Sequence, residues 1–591
     1  MNEPQPSFEP SEPAAFGAAR PVPAPARGWL AGLQQPGGAR AGLIAILAAT
    51  ALTCLVFLVN AFLLPGSAYA IQDDARQFLA WTARLGDAGA LPGDLIADYW
   101  QSVTPLLLRG LYGAGAMLGI SPLVLARLIP VALLMVSAFA AWRVALVLTH
   151  RRALAALVAA SFAMALLVHE DSIYSATARA FSPPLFLLFL DALLRGRRVQ
   201  MIASLGVLAA IYPTTALVGL TMLGFAQLKR RWPFFALEAR SLVTLLVAAL
   251  AVAAPIALLP GEVSRWEPVI TIADALEMPN LGTPAGRSSI VPIEGASPWL
   301  CSARVGILPE IFPCWASRWA VLFNLLLLGP LLFLGIRAGL GAWRGAPRSP
   351  DIVYLWALVA GLAWWAIATA LAFKLHLPAR YPQRVLSILE WMAIGQMVGL
   401  WLDARWRGAA RGAGVKLAAA GLAALLAISF LTPTPGMKRP EEPAVMDWLR
   451  AAPPGIRVGG LSGDLDFVPA LTGRAVHATV EHAIPYHLTY YDELDRRLVA
   501  SVAAAATPDA GALARFVTEE RLDVLLVDRA FLETGAIPEA YLGVVPAAVA
   551  AGEAALVRGP SALQREAARC ALLRGEKHWL IDAACLTAPA P

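Results

Sequence analysis

Three short groups of residues in this chain have the types and spacing for chemistry. The first is Ile71-Gln72-Asp73-Asp74-Ala75-Arg76-Gln77-Phe78, directly after an apolar run. Two adjacent carboxylates repel each other, at a cost that rises as the dielectric falls, so a cation, a metal or a hydroxyl donor must compensate them there. Asp73 or Asp74 could then take a proton from an acceptor hydroxyl as general base. The plainer alternative is a helix N-terminus, where acidic side chains meet free amides. The second group is His169-Glu170-Asp171, followed by Tyr174 and Arg179. If Glu170 and Asp171 face the same space as the first pair, their oxygens suit a divalent cation such as Mg or Mn; otherwise they are a solvated turn. The third is Lys374, His376, Arg380 and Arg384, four cationic candidates within eleven residues. Arg forms bidentate bonds to phosphate, so this cluster suits a lipid-linked phosphate or diphosphate, with snorkelling to ordinary headgroups as the alternative. A fourth stretch, Glu481-His482-Ala483-Ile484-Pro485-Tyr486-His487, reads as a structural or membrane-facing loop. Its two histidines lack the i, i+4 spacing of a helical zinc pair.

The elements that must position these groups are apolar helices. The 591 residues are 58% hydrophobic and only 15% charged, against roughly 25% charged in average soluble proteins. That excludes an ordinary cytosolic enzyme, a disordered chain and a small disulfide scaffold, and predicts an α-helical multi-span membrane protein. The run 41–64 is long enough for a bilayer of about 30 Å and reads as a retained anchor. Further spans are predicted at 123–148, 153–168, 182–194, 200–211, 213–227, 240–260, 319–337, 353–373, 383–402 and 415–432, about eleven in all. Ile211-Tyr212-Pro213 reads as a break between two half-helices, because Pro lacks a backbone donor. Residues 1–40, rich in Pro, Ala and Gly, read as a disordered cytoplasmic tail.

The net charge of +6 is mostly Arg and Lys in every second loop, at 150–152, 195–198, 229–231, 337–344 and 405–411. This is the arrangement that orients helices, not a nucleic-acid footprint. Those loops are predicted to be cytoplasmic, so the external segments are 65–122, 169–181, 261–318, 374–382 and the tail. The 374–384 cluster is the exception to the cytoplasmic bias. Four of the five cysteines, Cys301, Cys314, Cys570 and Cys585, fall in external segments, two in each, where disulfides persist. Bridges Cys301–Cys314 and Cys570–Cys585 are predicted. The tail, 438–591, reads as a small extracytoplasmic α/β domain with strands at 456–460 and 522–528 and a helix at 508–521 between them. It carries no GxGxxG and no Walker lysine.

Together these features resemble the GT-C superfamily of integral-membrane glycosyltransferases. The residues that carry the resemblance are Asp73-Asp74-Ala75-Arg76 opening a long first external loop, the polar loop with Glu170 and Asp171, the break at Tyr212-Pro213, Arg380-Tyr381 and the external C-terminal domain. Family patterns commonly place a Tyr shortly after the acidic pair, where this chain has Gln77 and Phe78. The resemblance spans residues 41–432 and implies transfer of a sugar from a polyprenyl-phosphate or -diphosphate donor to an acceptor on the external face of the cytoplasmic (inner) membrane. By the same analogy Asp73 or Asp74 is the base, Arg380 and Arg384 hold the donor phosphate, and Glu170 or Asp171 orients the acceptor or a metal. The alternatives are a transporter or flippase of lipid-linked saccharides, for which the halves show no internal repeat, and a non-catalytic assembly protein on the same scaffold.

Overall fold

The computed structural model describes residues 36–87, 89–149, 155, 158–162, 171–228, 238–258, 263–292, 296–309, 317–405 and 436–588. Helix α1 (Pro36–Phe62) leads into a two-residue strand β1 (Ile71–Gln72) and a short helix α2 (Asp73–Phe78). Helices α3 (Leu95–Val103) and α4 (Leu106–Met117) occupy the apolar, Pro-interrupted stretch around Pro105. A 28-residue helix, α5 (Pro122–Thr149), follows, then α6 (Ser182–Leu194), α7 (Arg198–Ile211), α8 (Pro213–Gln227) and α9 (Ala239–Ala257). The sequence break is present: α7 stops at Ile211, Tyr212 leaves helical geometry, and Pro213 starts α8 at the first helical position, which Pro favours. After a long loop come α10 (Arg318–Trp343), α11 (Ile352–Ala370) and α12 (Arg380–Arg405).

Among the described residues four helices are long and apolar enough to cross a membrane: Pro122–Thr149, Ala239–Ala257, Trp319–Trp343 and Ile352–Ala370. The apolar part of α1, Ile46–Phe62, is shorter, as is α7. Helices α6 and α8, with 13 and 15 residues, also fall below the roughly 20 residues that a bilayer needs. The predicted span 415–432 and most of 153–168 lie outside the described residues.

Residues 436–588 build a mixed sheet in the order β4–β3–β5–β7–β6, with β3 at Arg457–Leu461, β4 at Ala475–Val476, β5 at Val524–Asp528, β6 at Ala571–Arg574 and β7 at His578–Asp582. Strands β3, β4 and β5 run parallel and β7 runs antiparallel to β5. Val524 to Val527 are all buried, the continuous apolar run expected of a central strand covered on both faces. Gly460 is required where β3 passes β5: its φ is +120°, and a Cβ there would meet the Leu526 carbonyl oxygen at 2.1 Å. The helix Leu488–Ala506 buries Tyr490, Leu494, Leu498 and Val502, a stripe at intervals of four that packs on this sheet. Cys570 and Cys585 are disulfide-bonded across 15 residues, and Cys54 is a buried free thiol. Cys301 is also disulfide-bonded, while Cys314 lies outside the described residues.

Candidate active site

The Asp73–Asp74 pair opens α2 and is fixed from both ends of the sequence. Gln72 caps the helix, its side chain accepting from the Ala75 N–H at 3.1 Å. Strand β1 pairs antiparallel with β2 (Met437–Lys438), and the Asp73 N–H donates to the Gly436 carbonyl at 2.8 Å. Arg127 of α5, buried, donates to the carbonyls of Ser67 and Ala70 at 2.8 and 2.9 Å and so holds the approach to the pair. Sequence spacing alone hides this arrangement, because residues 437–438 stand some 360 positions away.

The two carboxylates face different partners. Asp73 meets Arg76 one turn on, at 2.7 Å. The same Arg76 nitrogen lies 2.9 Å from Glu481, and its other terminal nitrogen 3.6 Å from Asp466. Arg287, from the loop between α9 and α10, also pairs with Glu481. Gln77 donates to the Glu481 carbonyl at 2.6 Å, and the Arg76 guanidinium covers the Phe467 ring. Burial pushes Glu481 up to about 7, against the pull of Arg287 and Arg76. The loop 481–487 is therefore structural in one half and part of the site in the other: His482 is fully buried and Glu481 closes the ion network of Asp73.

Asp74 pairs with Arg179, from the turn before α6. Burial drives Arg179 well below its ordinary basicity, and Arg384, Arg380 and Arg304 lower it further. Arg384 in turn donates to Ser172 at 3.3 Å. The acidic pair, the turn 171–181 and the start of α12 thus converge: Arg179, paired with Asp74, feels the charges of Arg304, Arg380 and Arg384. Tyr381 supports the start of α12: its hydroxyl donates to the Leu375 carbonyl at 2.9 Å and its ring stacks on Trp364.

The cationic set differs from the expected one at two positions. The His376 side chain is exposed, so the neighbouring Arg380 and Arg304, rather than burial, are what disfavour its protonation. Lys374 is exposed, with no side-chain partner among the described residues. Arg179 and Arg304 take their place. Both are arginines in predicted external segments, so they break the orientation rule in the same way as Arg380 and Arg384. That signal would have found them, and Arg287 as well. Glu170 lies outside the described residues, and for Asp171 only the backbone is described.

The Glu170 and Asp171 side chains, the expected oxygen ligands of a divalent cation, lie outside the described residues. Both carboxylates of the acidic pair are engaged by arginines, and no group of three His, Cys, Asp or Glu side chains among the described residues is arranged to hold a metal.

No family model matches the chain, and no curated protein sequence matches it significantly. Solved structures do. The archaeal oligosaccharyltransferase AglB from Archaeoglobus fulgidus, in complex with an inhibitory peptide and a dolichol-phosphate, superposes with a TM-score of 0.50 at 11% identity, covering 85% of this chain and 72% of AglB. The chain has the GT-C fold. The mycobacterial arabinofuranosyltransferase AftD matches with a TM-score of 0.43 at 16% identity, over 82% of this chain and 36% of AftD. ArnT from Cupriavidus metallidurans matches with 0.38 at 15%, over 93% of this chain and 100% of ArnT. On this scaffold the C-terminal residues meet the acidic pair's helix through Glu481, which pairs with Arg76, and Gly436, which accepts from the Asp73 N–H.

Proposed function

We propose that the chain is a membrane glycosyltransferase that moves a sugar from a polyprenyl-phosphate or -diphosphate donor to an acceptor on the extracytoplasmic face of the inner membrane. Its N-terminus lies in the cytoplasm and its C-terminal α/β unit (438–591) outside. The observation that carries the reading is the Asp74–Arg179 pair set among Arg304, Arg380 and Arg384, one residue from the more accessible Asp73. The dolichol-phosphate bound in the AglB structure supports a lipid phosphate as the donor group.

Asp73 is the base in this scheme. Its side chain is 37% exposed, against 17% for Asp74. The acceptor hydroxyl gives its proton to Asp73 as its oxygen forms the new bond to the anomeric carbon. The bond from that carbon to the phosphate oxygen breaks on the opposite face, and the configuration inverts. The charge that develops on the departing phosphate falls to Arg380, Arg384 and Arg304, with Arg179 held in place by Asp74; such pre-aimed cations are the largest electrostatic contribution available here. Lys374 meets the phosphate at the mouth, and Glu170 or Asp171 orients the acceptor. The carboxylates already ion-paired with arginines carry the scheme without a step through a metal.

The test is turnover of lipid-linked sugars in membranes. Asp73→Asn should lower it by about 10²–10⁴-fold while phosphate binding persists. Unchanged turnover in both Asp73→Asn and Asp74→Asn removes the assignment.

A further inference from the structure

Three carboxylates of the C-terminal unit close on one histidine, away from the acidic pair and its arginines. His578 opens β7 and is 4% exposed. Its Nδ1 lies 2.7 Å from Asp528, the last residue of β5, and 3.3 Å from the Ser462 hydroxyl. Its Nε2 lies 3.3 Å from Asp464 and 3.9 Å from Glu441. A neutral imidazole offers one N–H and one lone pair. With a carboxylate on each nitrogen, only the doubly protonated ring has a donor for both. Burial works against that charge, but Asp528, Asp464 and Glu441 together hold the ring above the ordinary histidine range. The other charges on the elements packed around it are turned elsewhere. Arg529 pairs with Glu533, Arg569 with Glu566 and Asp447 with Arg450, Arg574 lies over Trp579, and Glu576 and Lys577 are exposed. The Glu442 carboxylate accepts from the Lys577 N–H at 3.0 Å, and burial keeps the Tyr541 phenol, near Asp528, protonated.

This group grips the strand that holds the acidic pair. Both Asp464 oxygens accept from the segment after β2, from the Glu441 N–H at 2.9 Å and the Glu442 N–H at 3.0 Å. Just upstream, β2 pairs with β1, and the Gly436 carbonyl takes the Asp73 N–H. Residues 436–442 are thus fixed at one end to the acidic pair and at the other, through Asp464, to His578. When the ring loses a proton, one of its nitrogens turns a lone pair on a carboxylate, and Asp464, Glu441 and Asp528 are left without a compensating cation. The repulsion falls on 441–442, the more exposed end of the group: the Glu441 side chain is 67% exposed, against 3% for Asp464.

We propose that His578 is a proton-sensitive clasp: protonated, it locks residues 436–442 onto the C-terminal sheet and steadies β1 beside Asp73, and its deprotonation lets that segment loosen. The stability that the proton supplies is present below the ordinary histidine value of 6.5 and is lost as pH rises through the raised value of the folded chain. The clasp stands on its own geometry. Only its bearing on turnover rests on the function proposed above, and its test needs no turnover.

The experiment is amide hydrogen exchange of the full-length protein in lipid nanodiscs from pH 5 to pH 9, corrected for the base-catalysed rise of the intrinsic rate. In the wild type, protection of residues 436–442 and 71–73 should fall by about ten- to a hundredfold as pH rises, the worth of one charge-assisted hydrogen bond. Val524–Val527, in the central strand, should stay protected. His578→Gln should show the loosened protection at every pH, with no step. Asp528→Asn is a milder change at a side chain that is 21% exposed; it should keep the step and move it toward acid, and it decides the matter if His578→Gln does not fold. Protection at 436–442 that is constant with pH in the wild type overturns the proposal, as does a step that survives His578→Gln or stays in place with Asp528→Asn. Parallel loss at Val524–Val527 also overturns it, because the whole unit is then unfolding rather than releasing one segment.

Discussion

Replacing Asp74 by Asn should destabilise the ligand-free protein and tighten its grip on phosphate, two effects of opposite sign from one change. Asp74 and Arg179 are 17% and 18% exposed, a largely desolvated pair. Removing one partner of a buried pair costs about 3–5 kcal/mol, because the other charge is left uncompensated. The partial exposure here favours the lower end, about 3 kcal/mol, and Arg304, Arg380 and Arg384 add to the strain on Arg179. A phosphate on the far side of Arg179, ~6 Å from Asp74, is repelled by that carboxylate by about 1–3 kcal/mol at effective dielectrics between 80 and 20. Loss of the carboxylate should therefore tighten phosphate binding by roughly five- to a hundredfold. The assay is thermal unfolding of the detergent-solubilised protein with and without farnesyl phosphate, paired with direct titration. Lower stability without ligand and a larger ligand-induced gain are expected. Wild-type melting together with unchanged or weaker phosphate binding would mean that Asp74 neither compensates Arg179 nor opposes a phosphate.

Glu481, pushed up to about 7 by burial, holds a proton in the folded chain between its ordinary value of 4.5 and about 7, where the unfolded chain has lost it. This group's contribution to stability is present at low pH and falls as pH rises through that window, by about 3 kcal/mol at most. Glu481→Gln should flatten the slope of melting temperature against pH between 5 and 8, and an unaltered slope counts against the burial-driven rise of Glu481. Arg127→Ala should cost about 2–4 kcal/mol, since two charge-assisted bonds to buried carbonyls at Ser67 and Ala70 are lost; hydrogen exchange at residues 67–73 should rise, and unchanged protection there contradicts its role. Reducing Cys570–Cys585, which closes a separation of 15 residues, should destabilise the C-terminal unit by about 3 kcal/mol, read by denaturant titration of tail fluorescence; an unchanged midpoint contradicts it.

Much of the architecture could be read from local signals. The strands expected at 456–460 and 522–528 are Arg457–Leu461 and Val524–Asp528, and the helix expected at 508–521 is Ala510–Glu519. Each is marked by its own apolar run and turn residues. The Tyr212–Pro213 break was legible for the same reason, a missing donor at one position. Span number was harder to read, because hydropathy measures apolarity and not length: 182–194 and 213–227 are apolar but form helices of only 13 and 15 residues.

In the site, the residue types of Asp73, Asp74, Arg380 and Arg384 pointed to chemistry, but their partners did not. Glu481 and Asp466 reach Arg76 across about 400 residues, and Arg304 reaches the cluster from a different loop. Such pairings are set by tertiary packing. His376 adds a different point: a histidine among arginines reads as a cation, while the charges of Arg380 and Arg304 oppose its protonation.

Cleavage of a lipid-linked sugar phosphate with transfer of the sugar is the reaction proposed for this chain. Its most direct measurement is mass spectrometry of lipids after purified protein in proteoliposomes is given polyprenyl-phosphate-linked sugars extracted from membranes together with an acceptor fraction. The wild-type chain should release free polyprenyl phosphate, with the sugar appearing on the acceptor, and Asp73→Asn should give neither product. Lipid-linked sugars that cross the bilayer intact, with no free polyprenyl phosphate formed by either protein, would contradict it and identify a transporter.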